Sequence, residues 1–596
     1  MTLRPSWVLE KTENAVAIAA ISLMTFLPLT EIASRQFRVF GIPGSAVFVQ
    51  HLTLWVALLG AAIAARSDRL LAMSANTFLP ESWLPNARTF AAAVAAAVSL
   101  CLAWASLDFV LAERGGGAIL AAGIPKWVAQ GIMPVGFLLI ALRLVWHAPA
   151  RVLAAVGLLV PVALGFIPHL TSSSIVICGS VVILAAAALG LPIFATLGGL
   201  ALLLFWGDGI PAASVPVATY GLVASPVLPS LPLFTFAGYL LVEGGANRRL
   251  LRVYNALFGW MPGGLTVTTA VVCAIFTWAG AGVTIMSLGG LLLPMLIKAR
   301  YPEKFSIGLI NASGSLGLLF PPSLPIILYG IYAQVSIPSL FVGGFLPGLL
   351  LVALVSAWGI RQGVRCKATR TSFSAREARL SLWEAKWELA LPVIVLIGLF
   401  GGFGTLVEAG ALTVAYALVV ECFIYRDFSL RKDYGRTAIE CVTVTGGVLL
   451  IIGVAVGLTN YLVDAQIPTL LIAWVHAHIH SKLTFLLLLN LFLLVKGSFM
   501  DVFSAIIVLV PLLTKLGDSF GIDPVQLGII FIANLELGYL TPPIGMNLCL
   551  SAYRFKQPLA AIYRATLPFY LILLLGVLLI TYVPVLTTGP VHWLGW

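Results

Sequence analysis

Charge is what this sequence most lacks. Of 596 residues only 10% are Asp, Glu, Lys or Arg, while 60% are hydrophobic. Soluble domains carry about 25% charged residues, and a water-soluble chain of this size could not cover its surface with so few. Paired cysteines are missing too. The seven present (101, 178, 273, 366, 422, 441 and 549) form no CxxC and lie almost entirely in apolar stretches, so they read as small core residues. There is no GxxxxGK[ST] loop, which excludes a P-loop ATPase. No Gly-x-Ser-x-Gly elbow or HExxH helix marks a hydrolase. Met1–Asn14 carries charges of both signs, and no small-residue cleavage site follows the next apolar stretch. The first hydrophobic segment is therefore expected to stay in the mature protein.

What is present is a series of uncharged runs. Asn14–Thr30, Ala46–Ala65, Thr89–Leu107 and Trp127–Leu142 each approach the roughly 17–25 residues that cross a bilayer as a helix. Val253–Ile297 and Phe305–Ile360 contain no Asp, Glu, Lys or Arg, so each must hold two or more passes or re-entrant pieces. The expected class is an all-α integral membrane protein with about 16 transmembrane helices plus two re-entrant hairpins. The formal net charge of +11 could suggest nucleic acid, but the basic residues sit in short loops, as the positive-inside rule requires.

Residues 1–150 read as one unit of four hydrophobic stretches, closed by Arg143, His147 and Arg151. An apolar connector spans 151–170. The remainder divides at 361–388, where Arg361, Arg365, Lys367, Arg370, Arg376, Arg379 and Lys386 form a basic segment suited to a cytoplasmic loop or surface helix. The pieces flanking it, 171–360 and 389–596, repeat one another. Leu316-Gly317-x-Leu319-x-Pro321-Pro322 recurs as Leu537-Gly538-x-Leu540-x-Pro542-Pro543. Positions 321 and 542 are 221 apart, as are Gly280 and Asp501, which lie in glycine-containing interruptions upstream of each copy.

Backbone N–H and C=O groups within hydrocarbon must find partners, and a Pro–Pro pair removes two donors. Such a break at membrane depth is tolerated where the freed groups line a cavity or bind something. Unwound carbonyls suit a hard cation such as Na⁺, and half-helix N-termini suit a carboxylate. An ordinary interhelical turn could use the same prolines singly, but two breaks at matching places point to a transporter site. Asp501 is costly at the bilayer centre, about 2.5–3.5 kcal/mol, so it needs a cation, a partner such as Lys496, or water. Glu536 and Glu408 are weaker candidates because they sit near segment ends. His476-x-His478-x-His480 lacks nearby Cys, Asp or Glu to complete a metal set and reads as an interfacial loop. His51, beside Gln50 in an apolar helix, has no intramembrane partner histidine for haem and reads as a subunit contact.

At these motifs the sequence resembles the tripartite ATP-independent periplasmic (TRAP) transporters. The likeness is carried by Gly314-Ser315-Leu316-Gly317-Leu318-Leu319-Phe320-Pro321-Pro322-Ser323 and by Leu537-Gly538-Tyr539-Leu540-Thr541-Pro542-Pro543-Ile544-Gly545-Met546-Asn547. Pro232-Leu233-Phe234, Gly263-Gly264-Leu265, Phe499-Met500-Asp501 and Leu54-Trp55 through Arg66 also fit. The resemblance implies that the small four-helix (Q) and large (M) membrane subunits are fused, with Val152–His169 as an added transmembrane helix between them. It also implies inverted repeats in the large part and an elevator mechanism. A periplasmic substrate-binding protein would deliver a small organic acid to a bacterial inner-membrane protein with a cytoplasmic N-terminus. Na⁺ would be the coupling ion. By similarity, one sodium site would use Gly280, Thr284, Gly317, Pro322 and Ser323. The other would use Gly497, Asp501, Gly538, Thr541, Gly545 and Asn547. Where the family's first hairpin is rich in Ser-Gly-Ser, this chain has Ala279-Gly280-Ala281-Gly282, which leaves backbone carbonyls and Thr284 as candidate ligands.

A monocarboxylate carried with one Na⁺ is electroneutral. One net charge crossing 100 mV contributes roughly 2.3 kcal/mol, which favours at least two sodium ions per turnover. Rival readings are a sodium–carboxylate symporter needing no binding protein, a membrane-anchor subunit of a redox enzyme, and an ion channel. The first is disfavoured by the extra four-helix unit, and the second by the lack of paired histidines.

Overall fold

The computed structural model describes residues 5–37, 42–72, 82–158, 173–277, 281–400, 404–499, 502–542 and 545–595. Among these, every extended regular element is a helix. Among the described residues, eight helices are long and apolar enough to cross a membrane, or ten if two bent pairs count as single spans. Six further apolar helices are 10–17 residues long. The four early uncharged runs lie in long helices, and the two longest runs divide into several helices, as two or more passes or re-entrant pieces require. Residues 159–169, most of the expected connecting helix, lie outside the described residues; a short helix, Arg151–Val156, leads into them.

Contacts divide the chain into two compact units. The first contains residues 1–236, 406–412 and 430–468; the sequence boundary after residue 150 falls inside it. Its central helix pair is Ser45–Arg66 against the long Tyr434–Asp464 helix. Glycine permits that approach: a Cβ on Gly446 would stand 2.5 Å from the Gly60 Cα, the kind of small-residue contact by which membrane helices close on one another. Polar groups pin the same unit. Arg66 and Arg143 converge on the buried Glu13, and Arg66 also donates to Asn14 at 2.8 Å. Arg35 pairs with Glu408, which gives that buried carboxylate a structural partner. His51 bridges the Val47 carbonyl at 2.8 Å and the Tyr220 hydroxyl at 2.6 Å. His51 lies within 1–150 and Tyr220 beyond it, as the contact reading of His51 requires.

The second unit contains 237–405, 413–429 and 469–596, and the internal repeat is visible in its elements. A helix pair, Gly264–Phe276 and Ala281–Lys298, precedes a broken helix made of Glu303–Ser313, a 3-10 turn Leu316–Leu319, and Leu324–Ala333. A second pair, Lys482–Phe499 and Val502–Ser519, precedes Pro524–Gly538 and Met546–Phe555. The 221-residue offset carries Ala281 onto Val502 and Glu303 onto Pro524, and Leu324 to within one residue of Met546. Asp523 opens the second broken helix by accepting from the Val525 and Gln526 amides at 2.8 and 3.1 Å, with Pro524 in the first turn where its missing N–H costs nothing. The basic segment 361–388 contains a surface helix, Ala375–Glu384, where Arg252 pairs with Glu377 and Glu384. His476 and His478 end the Ile467–His478 helix, not an irregular loop. They stack on Phe520 and Trp474 respectively, so aromatic packing extends the helix into that sequence.

Candidate functional site: two helix breaks in one unit

The first break starts where Glu303–Ser313 ends. Its axis bends by 42° before Leu324–Ala333 resumes, since neither Pro321 nor Pro322 can donate to a helix; their peptide bond is cis. Ser323 then takes the N-cap position of the downstream half, and its hydroxyl is fully buried with no hydrogen-bond partner among the described residues. Gly317 sits in the 3-10 turn, where a Cβ would stand 2.5 Å from the Thr277 Cβ, so glycine is needed for close approach. Thr277 donates to the carbonyls of Cys273 at 2.6 Å and Gly314 at 3.2 Å. Thr284 is buried near the start of Ala281–Lys298. Its neighbour Ile285 lies against Gly314, where a Cβ would be 2.7 Å from Ile285 Cγ1. Gly317, Thr277, Gly314 and Ile285 thus meet, and Pro322 and Ser323 follow at the end of the break. Gly280 lies outside the described residues.

At the second break the upstream helix stops at Gly538, whose Cα packs on the second helix pair. A Cβ on Gly497 would stand 2.9 Å from Gly538 Cα, and one on Gly538 only 2.6 Å from Gly497 Cα. The Thr541 amide donates to Gly538 at 3.0 Å, and the Gly545 amide to Thr541 at 3.1 Å. A Cβ on Gly545 would crowd the carbonyl oxygens of both Tyr539 and Thr541, so backbone oxygens converge where the helix is unwound. The Tyr539 hydroxyl accepts from the Val502 amide at 3.2 Å, tying the unwound segment to the start of the second pair's downstream limb. Asp501 and Pro543 lie outside the described residues.

The breaks are joined by Asn547, which the sequence offered, and by Asn311, Ser551 and Thr566, which sequence reasoning missed. Asn547 donates to the Asn311 carbonyl at 3.3 Å. The Asn311 side chain accepts from Ser551 and donates to Thr566, each at 2.8 Å. All four side chains are almost wholly buried. Glu536 differs from its sequence-based ranking: although near a helix end, it is 1% exposed, and neither carboxylate oxygen has a hydrogen-bond partner among the described residues. The common offset from Ser315 to Glu536 was the available signal.

An apolar cavity of about 410 Å³ opens beside the first break, lined by Leu250, Tyr254, Phe320, Pro321, Pro322 and Glu388. Glu388 is already engaged. With Glu421 and Asp427 it surrounds Arg249, which also lies 3.7 Å from the Tyr425 ring centroid. Burial works against the Arg249 charge, but Glu421 and Glu388 outweigh it and hold the guanidinium above its ordinary pKa. A wall so apolar, with its one carboxylate paired, does not suit a carboxylate ligand; the polar atoms gather at the breaks instead.

Comparison with known proteins identifies the family. Residues 180–586 match the family described as "Tripartite ATP-independent periplasmic transporter, DctM component", and residues 24–154 match its DctQ component. The chain belongs to the TRAP transporters. It joins both membrane components in one polypeptide, and it is a transport permease, not an enzyme. It is 29% identical to "Isethionate TRAP transporter permease protein DctMQ" of Oleidesulfovibrio alaskensis, over 97% of this chain and 94% of the relative. It is 33% identical to "C4-dicarboxylate TRAP transporter large permease protein DctM" of Pseudomonas aeruginosa, over 67% of this chain and 93% of the relative. A solved structure, the Alcanivorax borkumensis YdaH transporter, superposes with a TM-score of 0.45 at 18% identity, over 64% of this chain and 87% of that one.

Proposed function

We propose that this TRAP permease imports a small organic acid, handed over by a periplasmic substrate-binding protein and driven by sodium, in a bacterial inner membrane with the N-terminus cytoplasmic. The observation that carries the reading is the pair of broken helices, set at a constant offset in one unit and joined through Asn311 and Asn547. The half-helix N-termini after Ser323 and Gly545 supply partial positive charge for a carboxylate. Converging carbonyls at Gly545 and the unpartnered Ser323 hydroxyl supply oxygens for Na⁺. One sodium ion is assigned to Gly280, Thr284, Gly317, Pro322 and Ser323, with Thr277 added. The other is assigned to Gly497, Asp501, Gly538, Thr541, Gly545 and Asn547. Two helix pairs and two broken helices would move together as an elevator. Relatives named for C4-dicarboxylates, isethionate and ectoine support a small anionic or zwitterionic substrate.

Reconstitution into proteoliposomes tests this. Inward sodium gradients should drive uptake of a C4-dicarboxylate or isethionate only when the binding protein of the same transport system is present. Uptake without it would favour the self-sufficient symporter, and uptake indifferent to sodium would refute the coupling.

A further inference from the structure

The two breaks share a polar register as well as a proline pair. Ser315 and Glu536 occupy equivalent positions, each two residues before the close-packed glycine, Gly317 or Gly538. Both side chains are 0–1% exposed, and neither side chain has a hydrogen-bond partner among the described residues. Ser313 and Ser323 hydroxyls and the Asn547 carbonyl oxygen are likewise buried without one.

Glu536 is not part of the surface that receives the second helix pair. Asn534 donates to Asn490 at 2.6 Å, and Gly538, one turn on, meets Gly497. Both contacts are with the Lys482–Phe499 helix. Residues two apart on a helix project to nearly opposite sides, so Glu536 is turned away from that helix. The 3-10 turn Leu316–Leu319, which Ser315 immediately precedes, packs on the same Pro524–Gly538 helix. The Asn547 bond to the Asn311 carbonyl brings the second break within about one helical turn of Ser313 and Ser315.

A buried ionised carboxylate without a counter-charge is strongly disfavoured. One proton would satisfy one carboxyl oxygen and leave the other without a partner. A hard cation accepts several oxygens at once. We propose that Glu536 and Ser315 hold a further sodium ion where the two breaks meet, separate from the two sites assigned above. The proposal rests on the sodium-coupled reading, and it makes Glu536 the acidic ligand of a site that has no hairpin-tip residue in it.

The test uses the full chain in proteoliposomes with its binding protein. Sodium dependence of uptake and charge moved per substrate, from the reversal potential, are measured for wild type, Glu536→Gln and Ser315→Ala. Glu536→Gln should lower the sodium Hill slope by about one and move one fewer positive charge per substrate. Ser315→Ala should raise the half-saturating sodium concentration severalfold at unchanged slope. A Glu536→Gln protein with wild-type slope and charge overturns the proposal, as does one whose only change is lost proton-driven uptake. If Glu536→Gln does not fold, Ser315→Ala decides alone: an unchanged sodium affinity overturns the site. Sodium-independent uptake by wild type would instead defeat the broader coupled reading.

Discussion

Gly538→Ala is the sharpest perturbation of the second break. The added methyl would stand 2.6 Å from the Gly497 Cα, whereas carbon atoms rest about 3.5–4.0 Å apart. The Lys482–Phe499 helix must then back away by about 1 Å, and both sides of the contact are backbone that no rotamer change can relieve. Overpacking of this kind costs about 1–3 kcal/mol. Gly538 is not among the positive-φ residues, so alanine fits its backbone and returns about 0.4–1 kcal/mol. The net penalty of about 1–2 kcal/mol corresponds to a roughly five- to thirtyfold rise in half-saturating sodium if the contact shapes the sodium site. The assay is sodium-dependent uptake by purified protein in proteoliposomes, with Gly447→Ala as control, because nothing lies within 4 Å of a Cβ there. A Gly538→Ala protein that folds and keeps wild-type sodium dependence would refute the reasoning.

Three further outcomes are expected. Asp501→Asn should raise half-saturating sodium by about tenfold or more, the scale of a lost charged ligand, with an unchanged gel-filtration profile; unchanged sodium dependence removes Asp501 from the site. Arg249→Met strands the buried Glu388 and Glu421 and should destabilise the protein by about 3–5 kcal/mol, read as a lower thermal-inactivation temperature that Glu421→Gln partly restores. His51→Phe and Tyr220→Phe each break the 2.6 Å bond between the two sequence parts and should each cost about 0.5–1.5 kcal/mol; the double variant should lose little more than either single one in thermal melts.

The breaks were legible because their cause is local. Proline removes a donor wherever it stands, and two copies at one offset expose a repeat without any knowledge of contacts. The Gly497–Gly538 approach was legible only as two interesting glycines, since their meeting depends on how two distant helices dock. The Asn311 hub was not legible at all. Its partners Asn547 and Thr566 lie 236 and 255 residues away, and a single asparagine in an apolar run announces no partner. The burial of Glu536 was not legible for a related reason: distance from a helix end along the chain is a poor measure of depth when that end is a break inside a packed unit. Hydropathy alone does not distinguish a full crossing from two short segments of a broken one, so where the long uncharged runs break was read from their glycines and prolines.

The most direct measurement is equilibrium binding of radioactive sodium to the purified chain in detergent. Wild type and Gly447→Ala should bind saturably, and Gly317→Val and Gly538→Val, which fill the two close approaches, should each lose part of the bound sodium and together lose most of it. Full binding in the doubly substituted, folded protein would contradict the account, because the cations would then lie somewhere other than the two helix breaks.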